Sequence, residues 1–166
     1  MQISRQHRLS PGLSVCLSIT LALAVGATGG FATASSVTTW YAGLNKPSFN
    51  PPNWLFGPVW TVLYVLMAVA AWRVYLTPRS AARTRSLSLY GLQLALNLAW
   101  SLIFFGLRAP LSSLLELALL LAAILATALA FCRLERLAAL LLAPYLAWSG
   151  FAFLLNFEIW RLNSGG

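Results

Sequence analysis

Acidic residues are nearly absent. Asp and Glu together number three against eleven Lys and Arg, and charged side chains make up only 8% of the 166 residues. A soluble domain carries about 25% charged residues, so this chain cannot build an ordinary water-facing surface. Histidine occurs once, as His7, and Glu116, Glu135 and Glu158 stand far apart, so conventional acid–base catalysis has no paired groups to draw on. Cysteine occurs twice, as Cys16 and Cys132, with no CxxC spacing and no nearby histidine. That pattern argues against a zinc site and against a disulfide, and both thiols are expected as buried small apolar groups. The formal charge of +8 raises nucleic acid as a partner, but the arginines lie in tails and connections and not in one basic stripe. Nucleic-acid binding is therefore excluded.

What the chain has in quantity is apolar surface: 60% of its residues are hydrophobic and its mean hydropathy is +0.78. A helical span needs about 20 mainly apolar residues. Five stretches qualify: 13–35, 54–76, 87–106, 111–132 and 137–160. The expected fold is an all-α membrane protein, a single five-transmembrane-helix bundle over 13–160 between tails 1–12 and 161–166. Arg5, Arg8, Arg73, Arg79, Arg83, Arg85, Arg133 and Arg136 fall on one side of such a bundle. Only Lys46, Arg108 and Arg161 fall on the other. The positive-inside rule then places the N-terminus in the cytoplasm and the first loop and C-terminus outside. The first 35 residues also have the outline of a secretory signal, with FATAS at 31–35 as a cleavage-like site. The apolar run is longer than a usual signal core, so it is read as the first helix.

The densest stretch is WYAGLNKPSFNPPNWLFGPVW at 40–60, which holds three of seven tryptophans and four of eight prolines. Pro47, Pro51 and Pro52 fix backbone angles and extend their neighbours, while Trp40, Tyr41, Phe49 and Trp54 supply aromatic surface. These rings form either an interfacial aromatic belt or a packed proline/aromatic lid between helices one and two. A belt needs no multiple-proline scaffold, which favours the lid.

The helices have distinct faces. In the first, Ala22, Gly26 and Gly30 recur every four residues and allow another helix to approach closely. Trp60, Tyr64, Met67 and Ala71 share a face of the second. In the third, Gln93, Asn97 and Trp100 lie on one side, with Gly91, Ala95 and Ala99 almost opposite. Two amides in a span are costly unless they face the bundle interior or a polar cavity. Glu116 falls near the start of the fourth helix, where the helix dipole and interfacial water make a carboxylate less costly. The fifth is expected to kink at Pro144, beyond which Tyr145, Trp148, Ala152, Leu155 and Asn156 share a face. Glu158 and Arg161 are spaced to pair. At a rise of about 1.5 Å per residue, Trp60, Asn97, Trp100 and Ala152 fall in one layer roughly 9 Å below the outer helix ends, with Trp148 a little deeper. Aromatic and amide groups from three helices converge under the proline loop, which is either a small-molecule pocket or a well-packed core.

Four blocks carry a resemblance: the 40–60 segment, GLQLALNLAW at 91–100, PYLAW at 144–148 and LNFEIWRLN at 155–163. Together they resemble the translocator protein/tryptophan-rich sensory protein family over roughly 13–163. The resemblance implies a five-helix bundle, usually dimeric, in the envelope membrane of a bacterium, linked to tetrapyrrole regulation, transport or stress sensing. It implies a porphyrin ligand such as protoporphyrin IX, with sterol-like or drug-like molecules in some members, and neither a required cofactor nor a metal. Carried over by position, the ligand site is Tyr41 and Pro51 from the lid, Trp60 and Tyr64, Asn97 and Trp100, and Trp148 and Ala152. Trp60 and Trp148 match tryptophans linked in some bacterial relatives to light-dependent porphyrin breakdown, so a light-dependent enzyme is one alternative and a hydrophobic-ligand transporter another. The family's sterol-recognition pattern has Leu155 and Arg161 here, but Phe157 stands where a tyrosine belongs, which speaks against tight sterol binding.

Overall fold

Ser10 starts the first helix. Its hydroxyl accepts a hydrogen bond from Leu13 N at 3.3 Å, and Pro11, with no N–H to leave unsatisfied, occupies the first turn. The computed structural model describes residues 10–164 of the chain. Arg5, His7, Arg8 and the last two glycines lie outside them. Helix α1 (Pro11–Val37) leads through a single 3-10 turn (Tyr41–Gly43) and an extended loop into α2 (Asn53–Leu76). Helix α3 (Ala81–Ser101) continues into a π turn (Leu102–Gly106). It is followed by α4 (Pro110–Cys132), the short α5 (Arg136–Leu141) and α6 (Ala143–Asn163). Counting α3 with its π turn and α5 with α6, five segments are long and apolar enough to cross a membrane. No strand occurs among the described residues.

Two boundaries differ from expectation. The basic stretch 77–86, which falls between the second and third expected spans, is mostly helix. Ser80 Oγ accepts from Arg83 N at 3.1 Å and caps α3 six residues before its apolar part begins. Capping chemistry, not hydropathy, sets that start. The fifth span does not merely kink at Pro144 but breaks at Leu142, two residues before it. Pro144 has no N–H for the helix ladder, so it can occupy the first turn of a new helix but cannot continue an old one. At the C-terminal end of α3 the wide turn is closed by Leu107 N donating to Leu102 O at 2.9 Å. Arg108 takes the left-handed conformation, φ 53°, to reverse the chain into α4.

The bundle interior runs along α2, α3, α4 and α6, with Met67, Leu120, Ile124, Phe131 and Tyr145 fully buried. Gln93 and Asn97 are each 1% exposed, so both amides face inward as their cost requires. Gly91 and Ala95 on the opposite face are exposed. Cys16 and Cys132 are exposed, not buried as expected. The surface of such a bundle meets hydrocarbon, where a thiol is as well accommodated as in a protein core. Glu116 also departs from expectation. It falls on the inward stripe of α4 that includes Ser113, Leu117 and Leu120, and both its carboxyl oxygens are buried without a hydrogen-bond partner.

A lidded aromatic cavity

The loop after α1 folds over one end of the bundle and is fastened there. Asn45 N donates to Asn163 Oδ1 at 3.0 Å, and Asn163 Nδ2 donates back to Asn45 O at 2.9 Å, so the end of α6 grips the loop backbone. Tyr41 is buried, and its hydroxyl donates to Asn50 Oδ1 at 2.8 Å. Burial pushes its phenol up to about 12, against the pull of the Asn50 hydrogen bond, so it is neutral at any physiological pH. Lys46 Nζ donates to the carbonyls of Ala42 and Leu44 and stands 4.8 Å from the Tyr41 ring centroid. Trp40 and Tyr41 pack on Phe104 of the π turn, and Phe49 meets Phe151 of α6. Trp54, in contrast, is 72% exposed and faces outward in the manner of a belt residue. The packed-lid reading therefore holds for Trp40, Tyr41 and Phe49, while Trp54 stands outside the packing.

Under this roof lies a cavity of 580 Å³ walled by α1, α2, α3 with its π turn, and α6. Aromatic rings from α2, α3, its π turn and α6 line it together with small and aliphatic residues of α1. Trp60 stands 6.4 Å from Trp100 between centroids, and Trp100 stacks on Phe104 at 5.7 Å with 22° between planes. Across the space Trp148 meets Phe56 edge-on at 6.0 Å. Tyr64, Asn97, Trp100 and Asn156 at its margins are already engaged, whereas Trp148 Nε1 is buried without a hydrogen-bond partner. The Tyr64 hydroxyl donates to Asn97 Oδ1, and Asn97 Nδ2 donates to the Tyr145 hydroxyl at 3.1 Å, which ties α2, α3 and α6 together. Trp100 Nε1 donates to Asn156 Oδ1 at 3.2 Å, and Asn156 Nδ2 donates to Pro110 O at 2.8 Å. Buried amides satisfied in this way fix the aromatic walls, since any one left unpaired costs about 1–3 kcal/mol.

Seven of the eight expected ligand-site residues line this one cavity: Tyr41, Trp60, Tyr64, Asn97, Trp100, Trp148 and Ala152. Pro51 does not. Its carbonyl accepts from Asn50 Nδ2 at 3.0 Å, so it shapes the loop that holds Tyr41. The sterol-pattern residues do not converge. Leu155 is buried on the cavity wall, while Phe157 turns outward against Trp160 and Arg161 is exposed and pairs with Glu158 at 2.6 Å. Phe56 and Phe104 were missed, although each lies four residues from an expected tryptophan on the same helix face. Phe105 and the α1 wall were missed as well, because a π turn has no sequence signature of comparable clarity.

Five apolar spans make the chain an integral membrane protein, and a roofed aromatic cavity is the form small-molecule sites commonly take. It belongs to the TspO/MBR family, whose model matches residues 18–161. The "Tryptophan-rich protein TspO" of Chlorobaculum tepidum is 45% identical over 152 residues, 91% of this chain and 96% of that protein. A protein of the same name from Archaeoglobus fulgidus is 44% identical over 155 residues, 92% and 98% of the two chains. The human "Translocator protein" is 46% identical over 128 residues, 76% of each.

Proposed function

We propose that the cavity is the binding site for a planar hydrophobic tetrapyrrole such as protoporphyrin IX, and that the protein is receptor-like, signalling or handling that ligand in an envelope membrane with its N-terminus in the cytoplasm. The observation that carries this reading is the ring of Trp60, Trp100, Phe104 and Trp148 around 580 Å³ of space. That volume falls within the roughly 300–1,000 Å³ of small-molecule sites. Flat aromatic walls suit a flat aromatic ligand, and stacking of this kind contributes about 0.5–1.5 kcal/mol per ring beyond burial. The Asn97 amide holds Tyr64 and Tyr145, so it braces the site and offers the ligand little more than its one spare N–H. None of the described residues lining the cavity is a histidine, cysteine or methionine, so free-base and iron protoporphyrin are expected to bind about equally. A second reading, light-dependent breakdown of the same ligand, draws on Trp60 and Trp148, which both line the cavity.

The test is a titration of protoporphyrin against tryptophan fluorescence in lipid nanodiscs. Ala152→Phe, which fills the space beside the rings, should lower affinity at least about tenfold, the scale of 1.4 kcal/mol. Unchanged affinity in that variant places the ligand elsewhere. If Trp60→Phe and Trp148→Phe bind normally but stop converting the ligand under light, the second reading is the correct one.

A further inference from the structure

The cavity is roofed but not walled all round. Three close contacts fasten helix α1 to α2 from its first turn to just past its middle. There Trp72 Nε1 donates to Ser14 Oγ at 3.0 Å, Ser18 Oγ donates to Ala68 O at 2.8 Å, and Gly26 lies directly against the Tyr64 ring. Toward the outer end α1 changes partner. Ser36 Oγ donates to Phe105 O at 2.7 Å, and Gly29 packs against Ser101 of α3. Leaning toward α3 at its top while tied to α2 up to just past its middle, α1 leaves a wedge-shaped slot between itself and α2.

The exposure pattern marks the same slot. The cavity-lining residues that are exposed all belong to these two helices: Ala27, Gly30 and Ala34 on α1, and Asn53, Gly57 and Thr61 on α2. Those contributed by α3 and α6 are buried or half-buried. A Cβ added to Gly30 or to Gly57 would meet nothing within 4 Å. The hydroxyls along the edges are turned back on their own helices, Thr33 to Gly29 O and Thr61 to Gly57 O. The slot is thus narrow-sided, lacks free polar groups along its helical edges below Asn53, and opens to the hydrocarbon of the outer half of the bilayer.

We infer that ligand enters and leaves the cavity sideways, through the α1–α2 slot, from solution in the membrane and not through the lid from water. This rests on the proposed ligand class, a hydrophobic molecule that partitions into lipid. The lid then acts as a fixed roof, held by the two Asn45–Asn163 hydrogen bonds and by Tyr41, which keeps water away from the bound ligand. The slot also selects for shape, because a flat molecule can pass edge-on between two glycine-bearing helices.

Stopped-flow tryptophan quenching by protoporphyrin in nanodiscs separates route from site. The double variant Gly30→Phe/Gly57→Phe should slow association and dissociation together by about tenfold or more. Asn163→Ala, which loosens the roof, should leave both rates unchanged. Gly30→Leu provides a milder block with a side chain that lipid-facing helices of this protein already carry, and should slow exchange in the same direction. Unchanged rates in the slot variants together with faster exchange in Asn163→Ala would assign entry to the lid. A loss of affinity without slower exchange would make the slot part of the binding wall and likewise overturn the route. The proposed site itself fails on a separate result, an Ala152→Phe protein that binds normally.

Discussion

Gly26 is the residue whose replacement reports most sharply on how the cavity floor is held. A Cβ at this position would lie 2.5 Å from Cε2 and 2.6 Å from Cδ2 of Tyr64. The ring cannot simply turn away. Its hydroxyl donates to Asn97, and its face packs on Trp60 at 5.8 Å. Gly26→Ala must therefore push α1 outward or drag Tyr64 off the amide. Overpacking of this kind costs about 1–3 kcal/mol. Losing the hydrogen bond adds about 1 kcal/mol, and the better helix propensity of alanine returns about 1 kcal/mol. We predict a net destabilisation of about 1–3 kcal/mol, or several degrees in a thermal unfolding midpoint at roughly 2–4 °C per kcal/mol. Gly30→Ala is the internal control. Its Cβ enters open space, so only the propensity gain of up to about 1 kcal/mol applies. Both variants should be melted in the same detergent, with the porphyrin titration as a second readout that falls only for Gly26→Ala. If the two melt alike, the close approach of α1 to Tyr64 is not what holds the floor.

Three further outcomes are expected. Arg108 is held in the left-handed region, which costs a side-chain-bearing residue about 1–2 kcal/mol, so Arg108→Gly should raise the melting midpoint. A lower midpoint would show that the side chain contributes more than the strain costs. Glu135, between α4 and α5, accepts from Arg73 Nε at 2.5 Å and from Ala138 N at 2.9 Å. The Arg73 hydrogen bond holds its carboxyl below the ordinary 4.5. A depressed pKa stabilises the fold above that ordinary value and ceases to do so as pH falls through the folded value. Wild type should thus lose an increment of stability below about pH 4.5 that Glu135→Gln lacks, a small one because both partners are partly exposed. Finally, we propose a homodimer through the small face of α3. Ala95→Leu/Ala99→Leu should weaken cross-linking in membranes while leaving porphyrin binding intact, whereas unchanged cross-linking would move the interface to another face.

What could be read from the sequence followed where the physics is local. Asn97 and Gln93 were placed inward because an amide facing lipid is prohibitive, and they are buried. The Glu158–Arg161 pair follows from helical spacing alone. Spans were found because apolar length has no other explanation in so short a chain, yet their ends were set by Ser10, Ser80 and Pro144, small local events that a hydropathy window averages away. The cavity's rings were legible one helix at a time. That α1 supplies a wall was not, because its lean depends on Ser36 meeting a carbonyl 69 residues away in a π turn. The exposed cysteines show the limit of reading burial in a membrane protein, where apolar residues gain as much from lipid as from each other.

A crystal structure of the protein grown with protoporphyrin tests directly whether a tetrapyrrole lies inside the cavity. It should show the macrocycle beneath the closed loop, against Trp60, Trp100 and Trp148, with Ala152 facing its edge and Tyr64 still bonded to Asn97. Macrocycle density confined to the lipid-facing outside of the bundle, with the cavity closed by its own side chains, would contradict it.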